Sequence, residues 1–193
     1  MEKVYFVIKR LEDIKKIGDS LSLPILEHCL GKTDRKAFST SVLSYSLLNE
    51  LLDNFNIDIN QLSFSSNGKP LIEDGYISIS HSEEYIAVSY SKINHGIDIQ
   101  FFKEIENKEG IIKKYFNNYY SKYMEISNEE KDELFFKLWS IKECVTKKED
   151  GNIFSDLNSE NIYIFNTTLH IKTKKYAFSV VADESFEVKE MHF

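Results

Sequence analysis

Apolar positions recur along this chain at two periods, and the switch between them marks out the elements. Val4 to Ile8 is a short apolar run that suits a strand. The stretch from Ile14 to Leu30 has no clear period, and Pro24 divides it. After Gly31, from Thr33 to Phe55, apolar side chains at Phe38, Val42, Tyr45, Leu48, Leu52 and Phe55 return at helical spacing, which predicts a helix with one buried face. A turn-rich stretch follows, in which Asn67-Gly68 tolerates positive φ. Tyr76 to His81 and Tyr85 to Ser91 then alternate with period two, and Asn94-His95-Gly96 supplies a turn before a third strand, Ile97 to Ile99. Three strands with such short connections predict an antiparallel meander.

The second half repeats the theme. Ile112, Tyr115, Phe116, Tyr119 and Tyr123 predict a helix from Glu109 to Tyr123. Ser127 with Glu130 fits a capping box, opening a long helix whose core stripe is Leu134, Leu138, Ile141 and Val145 and whose end is Asp150-Gly151. Strand-like runs follow at Ile162 to Phe165, Thr168 to Ile171 and Tyr176 to Val181. Each half thus holds a long helix and several strands, an α+β pattern repeated once.

Composition narrows the class of partner. The 193 residues fit one large domain or two small halves, and 42% hydrophobic with 28% charged residues reads as a soluble globular chain. A net charge of −7 with scattered Lys and Arg argues against a general nucleic-acid binder, which needs a basic stripe. Two cysteines, Cys29 and Cys144, are too few for a disulfide framework and suit a reducing compartment. The opening MEKVYFVIKR has too short an apolar run for a signal peptide and no segment reaches membrane-spanning length, so a cytoplasmic location is expected.

A few polar residues sit where packing alone would not put them. Asp98 lies between Ile97 and Ile99, so Asp98 and Gln100 share the opposite strand face. Glu143 and Lys147 share a helix face four residues apart. They read either as an exposed pair worth roughly 0.3–0.5 kcal/mol or, beside Phe136 and Trp139, as part of a sheltered site. Oxygen side chains from a strand and a helix brought together would resemble the shell that Mg²⁺ takes. Lys32, Arg35 and Lys36 cluster at a helix N-terminus and read equally as a solvated end or an anion site. His81 follows Ser80 at a strand end, and Gly68-Lys69-Pro70 lies in a turn without the rest of a phosphate loop.

Taken in order, Asn67-Gly68-Lys69-Pro70, Ile79-Ser80-His81-Ser82, Gly96-Ile97-Asp98-Ile99 and Trp139-Ser140-Ile141-Lys142-Glu143 with Lys147 resemble 4′-phosphopantetheinyl transferases of the surfactin-synthetase-activating type, from about Lys32 to Gly151. The resemblance implies two similar α/β halves related by a pseudo-twofold: residues 1–95 binding coenzyme A, and residues 96–193 carrying the metal and catalytic groups. It implies transfer of phosphopantetheine from coenzyme A to a serine of an apo acyl- or peptidyl-carrier protein, with release of adenosine 3′,5′-bisphosphate. On it, Asp98 and Glu143, with Gln100, hold Mg²⁺, and Glu143 is the base, directly or through water, for the carrier serine. Lys147, His81 and Ser80 meet the coenzyme A phosphates with Lys142 beside them, Gly68, Lys69 and Pro70 line the adenine end, and Lys32, Arg35 and Lys36 fall near the 3′-phosphate. A monomer is expected, binding neither nucleic acid nor membrane.

Two departures stand out. Gln100 occupies a position where many relatives carry a second acid, which predicts weaker metal binding rather than lost activity. The acid expected after Phe116 is absent from Phe116-Asn117-Asn118-Tyr119-Tyr120, which bears on carrier contacts. Asp98→Ala or Glu143→Ala is expected to abolish transfer with the fold intact. Two rivals follow from the same residues: a non-catalytic module that binds coenzyme A or regulates a synthase, and a Mg²⁺-dependent phosphohydrolase.

Overall fold

The first strand, β1 (Glu2–Arg10), forms the middle of a sheet rather than its edge. In a computed structural model that describes residues 1–14, 21–32, 34–151, 168–173 and 176–193, it pairs antiparallel with β5 (Tyr85–Ser91) and parallel with β9 (Phe186–Glu190). On the far side of β5, β4 (Tyr76–Ser82) completes the order β4-β5-β1-β9. Two short strands, β2 (Ser63–Phe64) and β3 (Pro70–Leu71), pair across the Asn67-Gly68 turn, where Gly68 adopts φ 84° as the sequence requires.

Helix α1 (Leu23–Leu30) begins with Pro24 in its first turn, and α2 (Arg35–Asp53) is capped by Asp34, whose carboxylate accepts from Ala37 N at 2.8 Å. The predicted first residue of that helix, Thr33, lies outside the described residues, as do residues 15–20 and the strand-like run Ile162 to Phe165. Leu47, Leu48, Leu51 and Leu52 of α2 are fully buried in the same apolar cluster as Ile86 and Val88 of β5, on the first sheet.

The meander does not form. β4 and β5 make the expected hairpin, but the next strand, β6 (His95–Phe101), leaves that sheet and pairs with β8 (Tyr176–Ala182), which in turn pairs with β7 (Thr168–Lys172). The physical reason is that both edges of β5 are already taken, by β4 and β1. β6 instead runs beside the free edge of β4, and serine hydroxyls close the gap. The amides of Ile97, Ile99 and Phe101 donate to Ser78, Ser80 and Ser82 Oγ at 3.1, 3.2 and 2.9 Å. Backbone donors that would otherwise be buried and unpaired are thereby satisfied. Val4, Phe6 and Ala87 of the first sheet face Ile97, Ile99, Phe178 and Val180 of the second in a shared core, with Phe6 stacked on Phe178 at 4.7 Å.

The single helix predicted from Glu109 to Tyr123 is broken. α3 (Lys108–Tyr115) ends at Phe116 (φ −133°, ψ 40°), a 3₁₀ turn follows over Asn117–Tyr119, and α4 (Tyr120–Glu125) starts afresh. Asn117 and Asn118 are weak helix formers that favour such a break. The predicted capping box is present: in α5 (Asn128–Lys148), Ser127 and Glu130 satisfy each other's backbone amides.

Candidate functional site

The site exists because α5 lies almost against β6. A Cβ on Gly96 would stand 2.0 Å from the Cys144 carbonyl oxygen, so only glycine permits this approach. Two small side chains of α5 tie the helix down: Cys144 Sγ meets the Ser179 carbonyl at 3.2 Å, and Ser140 Oγ lies 3.5 Å from the Asp98 carbonyl. The next residue after Ser140 and the one before Val145 are apolar or small and fully buried, Ile141 and Cys144 at 0% exposure. Helix and strand are therefore fixed in register, and Glu143 and Lys147 are carried to Asp98.

Asp98 is 2% exposed and held by three donors. Its Oδ1 accepts from Ser80 Oγ and from Lys147 Nζ, both at 2.8 Å, and its Oδ2 accepts from Gln100 Nε2 at 2.8 Å. Lys147 Nζ also reaches Ser80 Oγ at 2.8 Å. Ser80 thus spends its one proton on Asp98 and its lone pairs on Lys147 and the Ile99 amide, linking β4, β6 and α5. Asp98 and Gln100 share a face as alternation predicts, while Ile97 and Ile99 enter the core.

Glu143 has no hydrogen-bond partner among the described residues, and its carboxyl is pushed up to about 7, chiefly by desolvation. Lys147 pulls it down and Asp98 pushes it further up, so the two carboxylates and the ammonium act on one another. Burial by itself would lower the Lys147 ammonium, but Asp98 and Glu143 outweigh it and the net displacement is upward. The pair is therefore no exposed surface salt bridge.

Cationic side chains act on His81 of β4. Lys32, Arg35 and Lys36 are exposed around the start of α2. His81 is held below its usual value, first by desolvation and then by the positive charges of Lys147 and Lys32. Lys36 adds a small share to the lowering of Glu83, which comes mainly from its bond to Lys103. His81, Lys32 and Lys147 consequently form one positive neighbourhood.

Between the Asn67-Gly68-Lys69-Pro70 turn, β4 and the end of α5 opens a cleft of about 220 Å³, lined also by Ile77, Ile79, Thr146 and Lys147. Lys147 therefore belongs to both the cleft and the carboxylate site. Lys69 lines the cleft, and its Nζ donates to the Lys148 carbonyl at 2.7 Å, capping α5. Asn67 Nδ2 donates to the Asp150 carbonyl at 2.7 Å and Ser65 Oγ to Asp150 Oδ1 at 3.0 Å, latching the turn onto the helix end. Lys142 is 2% exposed and stands on the buried side of the same helical turn. Sequence reading missed the supporting role of Ser78 and Ser82; its signal was a serine at every second position of one strand.

The donors present suit a hard cation. Asp98, Glu143 and Gln100 offer only oxygen ligands, and a cation, the Lys147 ammonium, already rests on Asp98 within the field of Glu143. No three His, Cys, Asp or Glu side chains that could hold a metal come together among the described residues.

Residues 94–187 match the family model of the 4′-phosphopantetheinyl transferase superfamily. The chain is 31% identical over 154 residues to the 4′-phosphopantetheinyl transferase gsp of Aneurinibacillus migulanus, covering 74% of this chain and 64% of that protein. It is 31% identical over 133 residues to the 4′-phosphopantetheinyl transferase ffp of Bacillus subtilis, covering 67% and 56%. Over 124 residues it is 31% identical to the 4′-phosphopantetheinyl transferase Sfp of Bacillus subtilis strain 168, covering 60% and 51%. In each case the match spans less than two thirds of the relative.

Proposed function

We propose that this chain, whose residues 94–187 match the model of the 4′-phosphopantetheinyl transferase superfamily, transfers the phosphopantetheine arm of coenzyme A to a serine of an apo acyl- or peptidyl-carrier protein. The observation that carries this reading is the convergence of Asp98, Lys147 and Ser80, with Glu143 beside them, at the edge of a cleft walled by Gly68, Lys69 and Pro70. A carboxylate pair next to a cationic patch suits an anionic substrate that meets a metal on one side and basic side chains on the other.

Asp98, Glu143 and the Gln100 amide oxygen would hold Mg²⁺, which when bound supplies charge neutralisation at the diphosphate. Lys147 and His81 bind the phosphates, and Lys32, Arg35 and Lys36 meet the outer phosphate. Lys142 supports this turn of α5 from behind. The carrier serine oxygen attacks the diphosphate phosphorus that bears the pantetheine arm. Its bond to the other phosphate breaks, and adenosine 3′,5′-bisphosphate leaves. The serine proton passes to Glu143, directly or through a water. We read the chain as two halves divided at 95/96 and related by a pseudo-twofold, with α2 on the first sheet and α5 on the second, although β9 of the second half joins the first sheet beside β1. We read the enzyme as a cytoplasmic monomer; no helix among the described residues is long and apolar enough to cross a membrane.

Mass spectrometry of an apo carrier incubated with the protein, coenzyme A and Mg²⁺ tests the reading. The carrier gains phosphopantetheine with wild type, and the rate drops by more than about a hundredfold in Asp98→Ala and Glu143→Ala. Coenzyme A binding without any carrier modification across a panel of carriers would instead leave a non-catalytic module, and carrier-independent phosphate release would leave a phosphohydrolase.

A further inference from the structure

The ribbon of β2 and β3 and the end of α5 are far apart in sequence and fastened to one another in space. Each strand of the ribbon has two residues, and a two-stranded ribbon that short has little stability of its own. Phe64 anchors its base on the first core, stacked on His28 at 4.2 Å. Its tip is held by residues 79 to 85 positions further along the chain. Ser65 Oγ donates to Asp150 Oδ1 at 3.0 Å, Asn67 Nδ2 to the Asp150 carbonyl at 2.7 Å, and Lys69 Nζ to the Lys148 carbonyl at 2.7 Å. Two of these three bonds end on one residue, Asp150.

Asp150 occupies a place where glycine is the ordinary choice. Helix α5 closes with the Gly151 amide donating to the Thr146 carbonyl at 2.9 Å and the Asp150 amide reaching the Lys147 carbonyl at 3.4 Å, a left-handed helix end. Asp150 stands there at φ 55°, which disfavours any residue with a Cβ. The helix end alone is better served by glycine; what aspartate adds is the carboxylate oxygen that receives Ser65. Asn67, Gly68, Lys69 and Pro70 line one wall of the 220 Å³ cleft, and Lys147 and Asp150 line another, so the bonds to Asp150 set the distance between walls. We propose that Asp150 is a positioning residue, which latches the ribbon of the first half to the last turn of α5 and so holds the cleft pre-formed before substrate arrives. The inference rests on the coenzyme A reading above and adds to it a residue that acts through the ribbon rather than on the reacting atoms. Asp98, Glu143 and Lys147 keep their places through the close approach of α5 to Gly96, so the latch governs binding and not the transfer step.

Asp150→Gly separates the bond from the backbone, because glycine takes the left-handed position freely and offers no carboxylate. Hydrogen exchange of the amides of residues 63–71, measured without ligand, quickens by about fivefold or more, and the melting temperature stays within about 2 °C of wild type. In carrier loading, KM for coenzyme A rises about three- to tenfold while kcat stays within about twofold, since an unfastened wall must be ordered as substrate binds. Asp150→Asn, which keeps the oxygen acceptor, returns both readouts to within about twofold of wild type. Asn67→Ala breaks the other bond to Asp150, and the double variant Asn67→Ala/Asp150→Gly raises KM by no more than about twofold beyond the larger single effect, because one latch opens once. Unchanged exchange over residues 63–71 in Asp150→Gly, a fall in kcat in place of the rise in KM, fully multiplicative effects in the double variant, or an Asp150→Asn that behaves as Asp150→Gly does, overturns the assignment. If wild type loads no carrier, the coenzyme A reading falls by that result, and the exchange measurement, made without ligand, still decides the latch.

Discussion

The strand side and the helix side of the site carry the same functional group in opposite conditions. Asp98 on β6 is buried among three donors, Ser80, Lys147 and Gln100, whereas Glu143 on α5 has no hydrogen-bond partner among the described residues. Donors favour the charged form of a buried carboxyl, and burial without them disfavours it. Asp98 is therefore part of the architecture, fixing β4, β6 and α5 to one another. Glu143 is held at a cost that a ligand can relieve. Both are carboxyls, and only their surroundings tell them apart.

Removing each carboxyl separates these roles most sharply. Asp98→Ala strips Lys147 of its anion while Ser80 and Gln100 lose their acceptor. Because Asp98 is buried but Lys147 is 28% exposed and can turn outward, the loss of stability is about 2–4 kcal/mol, below the full cost of breaking a buried pair. The urea midpoint falls accordingly, with the slope unchanged. A stability equal to wild type in Asp98→Ala would mean that the aspartate is held only for its ligand.

Glu143→Gln has the opposite sign, and pH exposes it. The folded carboxyl titrates at about 7, above its ordinary 4.5, so its contribution to stability is fully present below pH 4.5 and is lost as pH rises through about 7. In metal-free buffer at pH 8, Glu143→Gln is thus more stable than wild type by on the order of 2–3 kcal/mol, and the difference vanishes below pH 4.5. Equal urea midpoints at pH 8 would show that Glu143 finds a partner in solution.

A third buried group titrates across the same range with the reverse effect. His95, 0% exposed at the start of β6, is held by Ser89 Oγ at 2.7 Å and the Ile93 carbonyl at 3.1 Å, and burial lowers it to about 4. A depressed histidine leaves stability intact above pH 6.5 and removes it as pH falls through about 4. In wild type this acid loss is partly hidden by the gain from Glu143. In Glu143→Gln it is no longer masked, and stability read from urea unfolding falls between pH 6.5 and 4 by on the order of 2 kcal/mol from His95, beside the losses from the likewise lowered His28 and His81. A flat profile in that variant would remove His95 as the titrating group.

How much of this was legible in the sequence depends on the range of each contact. Alternation placed Asp98 and Gln100 on one face, helical spacing placed Glu143 with Lys147, and Ser127 with Glu130 announced the start of α5, because each is a local relation. The route of β6 was not legible: the short link through Asn94 looks like a hairpin, and only the occupancy of β5 by β1 sends the strand to β8. Nor was the break at Phe116, since apolar spacing through Tyr123 continues across it and only Asn117-Asn118 hints otherwise. Gly96 read as a turn residue, although its role is to admit the Cys144 carbonyl. Lys69 read as lining the adenine end; it does line the cleft, and nothing in the sequence announced that its ammonium also caps α5.

The smallest effect tests the amide that stands beside Asp98. Gln100 Nε2 donates to Asp98 Oδ2 at 2.8 Å, so in the metal-free protein the amide steadies the aspartate. A glutamate there would set one carboxylate against another, which costs stability without a cation and repays it when a divalent ion binds. Gln100→Glu is accordingly about 1 kcal/mol less stable than wild type in chelator. It reaches half-maximal transfer at roughly tenfold lower Mg²⁺, a difference of about 1.4 kcal/mol in metal binding. Coincident Mg²⁺ curves for the two proteins would mean that the amide already serves the metal as well as a carboxylate does, leaving Asp98 and Glu143 to set the affinity.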